Sequence, residues 1–255
     1  MDQLTVGIFG LTGCAGDQLT LLNCEDELLA IAGKVRMKSF KMASTTEVGG
    51  EIEVAFVEGS VCQPRDLALL REVRGRAHNL VALGTCACFG GVAAMDQRLD
   101  PEILKEKVYG TEGDLFAIQR ARPLSTYVDV DFMLPGCPVE KEQLLETISC
   151  LLKGSFPEIP TTPVCADCRI RENVCLVIEK EQVCCGALTR GGCKARCPSL
   201  DVPCLGCRGP VEDAYYRAEM EFLAARGVTR EVVRKEMLLF STPAGMGERL
   251  EKEFD

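Results

Sequence analysis

The sequence predicts an α/β protein in which an open parallel sheet is followed by a loop-rich segment crowded with cysteines. From residue 4 to about 152, short apolar runs alternate with amphipathic helical patterns, as is typical of an open α/β sheet. Nine of the sixteen cysteines then lie between Cys165 and Cys207. The predicted strands cover residues 5–11, 35–43, 52–58, 79–85 and 127–134.

Four helical patterns accompany these strands, and they cover residues 17–31, 64–74, 101–107 and 138–152. The last pattern is the clearest, because Pro138 stands at a first-turn position and Leu144, Ile148 and Leu151 recur at helical spacing. We therefore predict a sheet domain over residues 1–155. Residues 156–255 are predicted to hold the cysteine-rich segment and C-terminal helices that brace it or contact a partner.

Composition narrows the classes of function. The 255 residues are 47% hydrophobic, which is ample for a packed core, and the net charge of −9 disfavours nucleic acid and anionic membrane surfaces as partners. The first residues, MDQLTVGIFGL, lack the basic region of a secretory signal, and no run approaches the roughly 18 apolar residues of a membrane span. We expect a cytoplasmic protein with reduced thiols, no membrane contact and no bound nucleic acid.

Cysteine spacing in the dense segment favours iron–sulfur clusters. Cys-x-x-Cys pairs open and close it at Cys165 and Cys204, and GGCKARCP ends in the Cys-x-x-x-Cys-Pro pattern of bacterial ferredoxin motifs. Eight of the nine cysteines would supply two four-ligand sites. Zinc and disulfides stay open as rivals: the paired cysteines could hold structural zinc, or disulfides could cross-link the segment.

Further candidate ligands follow the predicted strands. Cys14 comes after the first strand, Cys86 after the fourth and Cys137 after the fifth, and each has glycine neighbours. Ligands of open α/β sheets bind outside the carboxyl ends of the strands, so these thiols can meet in one crevice. Glycines there would let the backbone approach a bulky cluster. A third iron–sulfur cluster is therefore predicted at the sheet edge.

Three motifs, GTCACFGG, LPGCP and PCLGCRGP, make residues 5 to 212 resemble the small subunit of nickel–iron hydrogenases. The resemblance is to the cytoplasmic branch with deazaflavin-reducing, heterodisulfide-reductase-linked and sulfhydrogenase types. It implies a flavodoxin-like N-terminal domain with a proximal 4Fe-4S cluster, and a C-terminal ferredoxin-like segment with medial and distal 4Fe-4S clusters. It also implies two partners: a large subunit with the nickel–iron centre, and an electron-accepting flavin or iron–sulfur subunit.

The resemblance also implies the ligands of the two C-terminal clusters. The distal set falls on Cys165, Cys168, Cys175 and Cys184. The medial set falls on Cys193, Cys197, Cys204 and Cys207. Family spacing selects Cys184 rather than its neighbour Cys185 as the distal ligand.

The proximal set falls on Cys14, Asp17, Cys86 and Cys137, and it departs from the family pattern. Relatives usually have Cys-x-x-Cys after the first strand, whereas this chain has an aspartate at the second position. Three alternatives stay open: the Asp17 carboxylate is the fourth ligand, Asp17 caps the following helix and a thiol replaces it, or the proximal cluster is altered or absent. The candidate thiols are Cys24, Cys62 and Cys88.

The resemblance places Glu58 beside the proximal cluster and the subunit interface. It implies an electron-transfer subunit of a nickel–iron hydrogenase, which carries electrons from dihydrogen oxidation in the large subunit to a partner reductase and has no catalytic residue of its own. Two alternative functions stay open. The chain could be a relay subunit of a redox complex without nickel, or a non-enzymatic iron–sulfur or zinc protein that senses redox state.

Overall fold

Five parallel strands form one sheet at the centre of the N-terminal part. The structure, a computed structural model, describes residues 3–45, 47–95, 100–115, 117–212 and 215–240. The strands are β1 (Leu4–Gly10), β2 (Val35–Phe40), β3 (Ile52–Glu58), β4 (Ala77–Leu83) and β5 (Phe132–Leu134). Their order across the sheet is β2-β1-β3-β4-β5, and every pair is parallel. This flavodoxin-like order confirms the predicted α/β fold.

Helices cover both faces of the sheet. They are α1 (Gly16–Leu22), α2 (Glu25–Ile31), α3 (Pro64–Arg76), α4 (Gly84–Phe89), α5 (Pro101–Tyr109) and α6 (Lys141–Leu151). Leu70 of α3 packs in one buried cluster with Val57 and Leu80. Leu21 of α1 and Leu144 of α6 pack in a second cluster on the other strand residues. Because both faces are covered, β3 is buried along its length except at Glu53, and its sequence is nearly all apolar.

The register aligns the carboxyl ends of the strands. Gly10 pairs with Glu58, Glu58 with Leu83, and Leu83 with Leu134. These four residues form one row across β1, β3, β4 and β5. The segments that follow these strands therefore start at the same edge of the sheet.

Three predicted boundaries were wrong. The helix predicted over residues 17–31 is two helices, because the chain turns at Asn23 and Cys24 between α1 and α2. The strand predicted over residues 127–134 is only the three-residue β5. The helix predicted over residues 138–152 begins at Lys141, so Pro138 lies before the helix and not in its first turn.

A fourth predicted boundary was also wrong, and this one affects the position of Cys86. The strand predicted over residues 79–85 is β4, which ends at Leu83. Gly84 has φ of 83°, a conformation that glycine adopts at little cost, and it turns the chain directly into α4. Cys86 is therefore held on a short helix and not on a loop.

Short helices and turns make up the cysteine-rich segment. Its helices are α7 (Val164–Ile170) and α8 (Leu176–Lys180), and they are followed by α9 (Tyr216–Ala224) and α10 (Arg230–Met237). Tyr216, Leu223 and Val233 of the last two helices pack on Val177 and Leu188. The described part of the predicted C-terminal helical region thus braces the segment; the rest of it, residues 241–255, lies outside the described residues.

No helix within the described ranges combines the length and the apolar character needed to cross a bilayer.

Asp66 joins the loops that follow β1 and β3. Its Oδ2 accepts hydrogen bonds from Thr12 Oγ1 at 2.8 Å and from the backbone N–H groups of Cys62 and Gln63 at 3.0 Å. The residue lies in the first turn of α3 and is 5% exposed. One carboxylate thus satisfies three donors at the functional edge of the sheet.

We expect Asp66→Ala to lower the free energy of unfolding by about 2 kcal/mol or more, because it leaves donors without an acceptor in a buried site. Glu72→Ala on the same helix is the control. Glu72 forms an exposed pair with Arg76, so its loss should change stability by less than about 1 kcal/mol. Urea denaturation followed by circular dichroism measures both, and equal effects would contradict this role of Asp66.

Candidate iron–sulfur sites

The residues predicted at the sheet edge lie in one crevice. Cys14 follows β1, Cys86 lies on α4 and Cys137 follows β5. Burial raises the pKa of the Cys86 thiol to about 12, and the neighbours that raise it further are Cys137, Asp17, Cys14 and Glu58. Cys14 and Cys137 are exposed, so the crevice opens to the surface. The structure thus brings together the predicted proximal set.

Asp17 is a buried carboxylate at the centre of this crevice. Its Oδ1 accepts a hydrogen bond from the Val139 N–H at 2.8 Å, and a Cβ placed on Gly84 would overlap its Oδ2. Burial raises the pKa of Asp17 to about 7; the Val139 bond opposes the shift and Glu58 adds to it. Without a nearby cation, much of this carboxyl would be protonated near neutral pH.

The capping alternative for Asp17 is wrong. Ala15, with φ of 62°, precedes the first helical residue of α1, and Asp17 lies inside the first turn. The carboxylate of Asp17 reaches across to Val139, in the loop after β5, and makes no capping bond within α1. Asp17 is thus directed at the segment that carries Cys137.

Glu58 holds the start of α1. Its two carboxylate oxygens accept hydrogen bonds from the backbone N–H groups of Asp17 and Gln18, both at 3.2 Å, and from Gln18 Nε2 at 2.8 Å. Glu58 and Gln18 are both buried. Glu58 therefore fixes the backbone from which Asp17 projects. Sequence reasoning missed Gln18, because an isolated glutamine in a helix is usually exposed.

The three candidate replacement thiols point elsewhere. Cys24 Sγ donates to the Thr20 carbonyl at 3.2 Å, one turn earlier in α1. Cys62 Sγ lies 3.3 Å from Ser60 Oγ. Cys88 Sγ donates to the Ala82 carbonyl at 3.4 Å and is buried in the core. None of these hydrogen bonds is with the predicted proximal ligands. Burial raises the pKa of the Cys88 thiol, and Asp17 and Cys86 raise it further, so Cys88 is the candidate thiol nearest to that set in effect.

The predicted distal cysteines are mutual neighbours. Cys165 and Cys168 lie one turn apart on α7, and Cys175 directly precedes α8. A Cβ placed on Gly186 would lie 3.4 Å from Cys165 Sγ and 3.5 Å from Cys184 Sγ, so these two sulfurs flank the same glycine. Burial raises the pKa of Cys165 to about 12; the other groups that raise it are Cys184, Cys168, Glu219 and Cys175.

The predicted medial cysteines lie in turns. Lys194 and Ala195 have positive φ values of 54° and 49° and form the tight turn between Cys193 and Cys197. Burial raises the pKa of the Cys207 thiol to about 12, and the thiols that raise it further are Cys193, Cys137 and Cys197. Cys204 is buried, and burial also raises the pKa of its thiol.

Cys185 belongs to neither predicted set, although its N–H donates to the Cys204 carbonyl at 2.8 Å. It is 1% exposed and packs with Leu188 and Tyr216 under the C-terminal helices. Its side chain is therefore part of the apolar core, whereas Cys184 faces the predicted distal set.

Contacts join the three sets into one series. Thr85 Oγ1, next to Cys86 of the proximal set, donates a hydrogen bond to the Cys207 carbonyl. Cys137 of the proximal set is also among the thiols that raise the pKa of Cys207. The N–H of Cys204 donates to Cys184 Sγ at 3.2 Å, which joins the medial set to the distal set. Among the described residues, no three Cys, His, Asp or Glu side chains converge closely enough to hold a single metal ion.

The donor chemistry fits iron–sulfur clusters. At the proximal crevice, a Cβ on Gly91 would lie 2.5 Å from Cys86 Sγ, so the absence of a side chain keeps the surroundings of this sulfur open. Burial makes the buried thiols weakly acidic, which disfavours a role as free nucleophiles. Bound iron would offset the cost of ionising these buried thiols, because a coordinated thiol is deprotonated.

Known proteins are similar to this chain in sequence. Residues 14–151 match the family described as "NADH ubiquinone oxidoreductase, 20 Kd subunit". The Sulfhydrogenase 2 subunit delta of Pyrococcus furiosus is 36% identical over 232 residues, which cover 91% of this chain and 97% of the relative.

Two solved structures are also similar. A chain of the NAD+-reducing NiFe-hydrogenase in the H2-reduced state is 28% identical with a TM-score of 0.56, over 62% of this chain and 96% of that chain. The NiFeSe hydrogenase from Desulfovibrio vulgaris Hildenborough has a TM-score of 0.56 at 16% identity, over 87% of this chain and 98% of that chain. The second likeness is one of fold alone.

Cys24→Ala, Cys62→Ala and Cys88→Ala should each retain the iron and acid-labile sulfide of the wild-type protein, because these thiols bond to other groups. Cys86→Ala should lose roughly a third of the iron. Iron and sulfide assays on anaerobically purified variants measure this. A large loss of iron from one of the first three variants would identify that thiol as a ligand.

Proposed function

Because the chain belongs to the family of the NADH ubiquinone oxidoreductase 20 Kd subunit, and within it to the small subunits of nickel–iron hydrogenases, we propose that it is the electron-transfer subunit of such an enzyme. In this function it takes electrons from dihydrogen oxidation in a large subunit and conveys them to a partner reductase. Three 4Fe-4S clusters carry these electrons one at a time.

Each cluster has its own ligand set in this proposal. The proximal set is Cys14, Asp17, Cys86 and Cys137. The medial set is Cys193, Cys197, Cys204 and Cys207. The distal set is Cys165, Cys168, Cys175 and Cys184.

The observation that carries the proposal is the continuity of these sets. Thr85, next to Cys86, donates a hydrogen bond to the Cys207 carbonyl, and the Cys204 N–H donates one to Cys184 Sγ. A series of closely spaced sites is what transfer of single electrons requires, whereas independent structural sites need no such contact. The proximal end opens to the surface at Cys14 and Cys137, and the distal end opens at Cys175. Cys197 of the medial set is exposed as well, and in this proposal the donor and the acceptor contact the two ends of the series.

Asp17 supplies the fourth proximal ligand in this proposal. Its carboxyl is buried and adds to the rise that burial causes in the pKa of the Cys86 and Cys137 thiols, and bound iron would favour the ionised form against the cost of burial. Glu58 holds the backbone amide of Asp17 and so orients this residue. A carboxylate is a harder ligand than a thiolate, so the iron that it binds should exchange more readily.

The partners are a large subunit with the nickel–iron centre and a second subunit with a flavin or iron–sulfur acceptor. Two relatives support this assignment, because one is a subunit of a sulfhydrogenase and the other is a chain of a hydrogenase that reduces NAD+. We place the complex in the cytoplasm, where thiols stay reduced.

Asp17→Ala should lower iron content and alter the paramagnetic resonance signal of one cluster, because it removes a ligand. Asp17→Cys should retain the iron and shift the same signal, because thiolate restores four sulfur ligands. Glu72→Ala is a matched control on an exposed acid. If Asp17→Ala keeps full iron content and an unchanged signal, Asp17 is not a ligand.

The anaerobically purified complex should contain a nickel-bearing partner, reduce a viologen dye with dihydrogen, and hold about twelve irons in this chain, as three cubes require. Metal analysis and a dye assay measure these properties. A nickel-free redox partner would instead indicate a relay in another complex. A lone protein with zinc and little iron would indicate a scaffold or sensor and overturn the proposal.

A further inference from the structure

Arg208 is a fully buried cation between the two parts of the chain. It follows Cys207 and is 1% exposed, and it is the largest fully buried side chain in the part of the chain that the structure describes. Its Nε donates to the Gly191 carbonyl at 2.8 Å, and its Nη1 donates to the Pro135 carbonyl at 2.8 Å. Pro135 lies two residues before Cys137, and Gly191 two residues before Cys193. The guanidinium therefore spans the loops that carry a proximal and a medial thiol.

No carboxylate among the described residues lies close enough to Arg208 to form an ion pair with it. Both of its acceptors are neutral carbonyl groups, and Nη2 has no hydrogen-bond partner. Against the effect of burial, Glu140 raises the pKa of Arg208 from a distance, but its carboxylate forms an ion pair with Arg196. A buried cation without a partner is costly, and buried charges in proteins are normally paired or close to a metal site.

The groups around the guanidinium indicate what balances its positive charge. Burial lowers the pKa of Arg208. The groups that oppose this shift are, in order, Cys193, Cys207 and Glu140, whereas the cation of Arg190 adds to it. These thiols are neutral while protonated but become anionic when they bind iron. A cube with four thiolates carries net negative charge, and reduction adds one more. A positive charge fixed nearby stabilises the reduced state more than the oxidised state.

Resting on the function proposed above, we propose that Arg208 is the buried counter-charge of the medial cluster and raises its reduction potential. It also fixes the spacing between the proximal and medial loops through its two carbonyl bonds. Gly192 leaves room for this arrangement, because a Cβ there would lie 3.0 Å from Nη2. The medial site is thereby kept able to accept electrons from the proximal site.

The test compares three variants within the assembled complex. Arg208→Gln removes the charge, and Arg208→Lys keeps it. Lys194→Gln is the control, because Lys194 is an exposed cation beside Cys193 whose charge water and salt screen. Each cluster is followed by paramagnetic resonance during a redox titration, with iron content measured on the same samples.

In Arg208→Gln, the ratio of reduced to oxidised medial cluster at a fixed potential should fall about tenfold or more, which equals about 59 mV for a one-electron couple. Arg208→Lys and Lys194→Gln should keep the wild-type ratio. An unchanged ratio in Arg208→Gln overturns the proposal. An equal fall in Arg208→Lys, with the iron content unchanged, also overturns it, because the positive charge would then not be what sets the ratio.

The wild-type complex separates this inference from the function on which it rests. Three cluster signals in the wild type with no effect of Arg208→Gln reject the inference alone. A wild-type chain without a medial iron–sulfur signal rejects the proposed function itself.

Discussion

Parallel pairing in register is the constraint on which the site depends. Gly10, Glu58, Leu83 and Leu134 form one row, so the segments after four strands leave the sheet at one edge. Only parallel strands give this result, because antiparallel neighbours would send alternate loops to opposite edges. Thiols separated by more than a hundred residues thereby meet without long connecting loops. The same row includes Glu58, which then binds the start of α1.

Burial of ionisable groups without counter-ions is the second feature of the molecule. The thiols of Cys86, Cys165 and Cys207 have raised pKa values, Asp17 is shifted in the same direction, and Arg208 has no acid partner among the residues described. The buried cation is costly without an ion-pair partner, whereas the buried thiols are neutral while protonated; their ionisation is opposed by burial and favoured by bound iron. Folding of this segment and metal binding are therefore expected to be linked, as in other proteins whose ligands lie in short turns.

Residue types alone predicted the sheet and the thiols at its edge, because buried parallel strands are continuous apolar runs and their ends are marked by glycine and cysteine. The end of α1 at Leu22 and the short length of β5 were not predicted, because they depend on contacts between distant parts of the chain and not on the local sequence pattern. The bonds of Glu58 to Gln18 depend on strand register. The role of Arg208 was not predicted, because arginine is rarely fully buried unless it is paired.

Asp17 restricts the residue at position 84, but Gly84 does not restrict position 17 in the same way. The position of a Cβ on Gly84 coincides with the carboxylate of Asp17, and φ at Gly84 is 83°. No larger residue fits at position 84 while the acid keeps this orientation. A shorter side chain at position 17 would free that space, yet the backbone angle would still favour glycine. Exchange of the acid for another residue is thus sterically open, whereas exchange of the glycine is closed in either background.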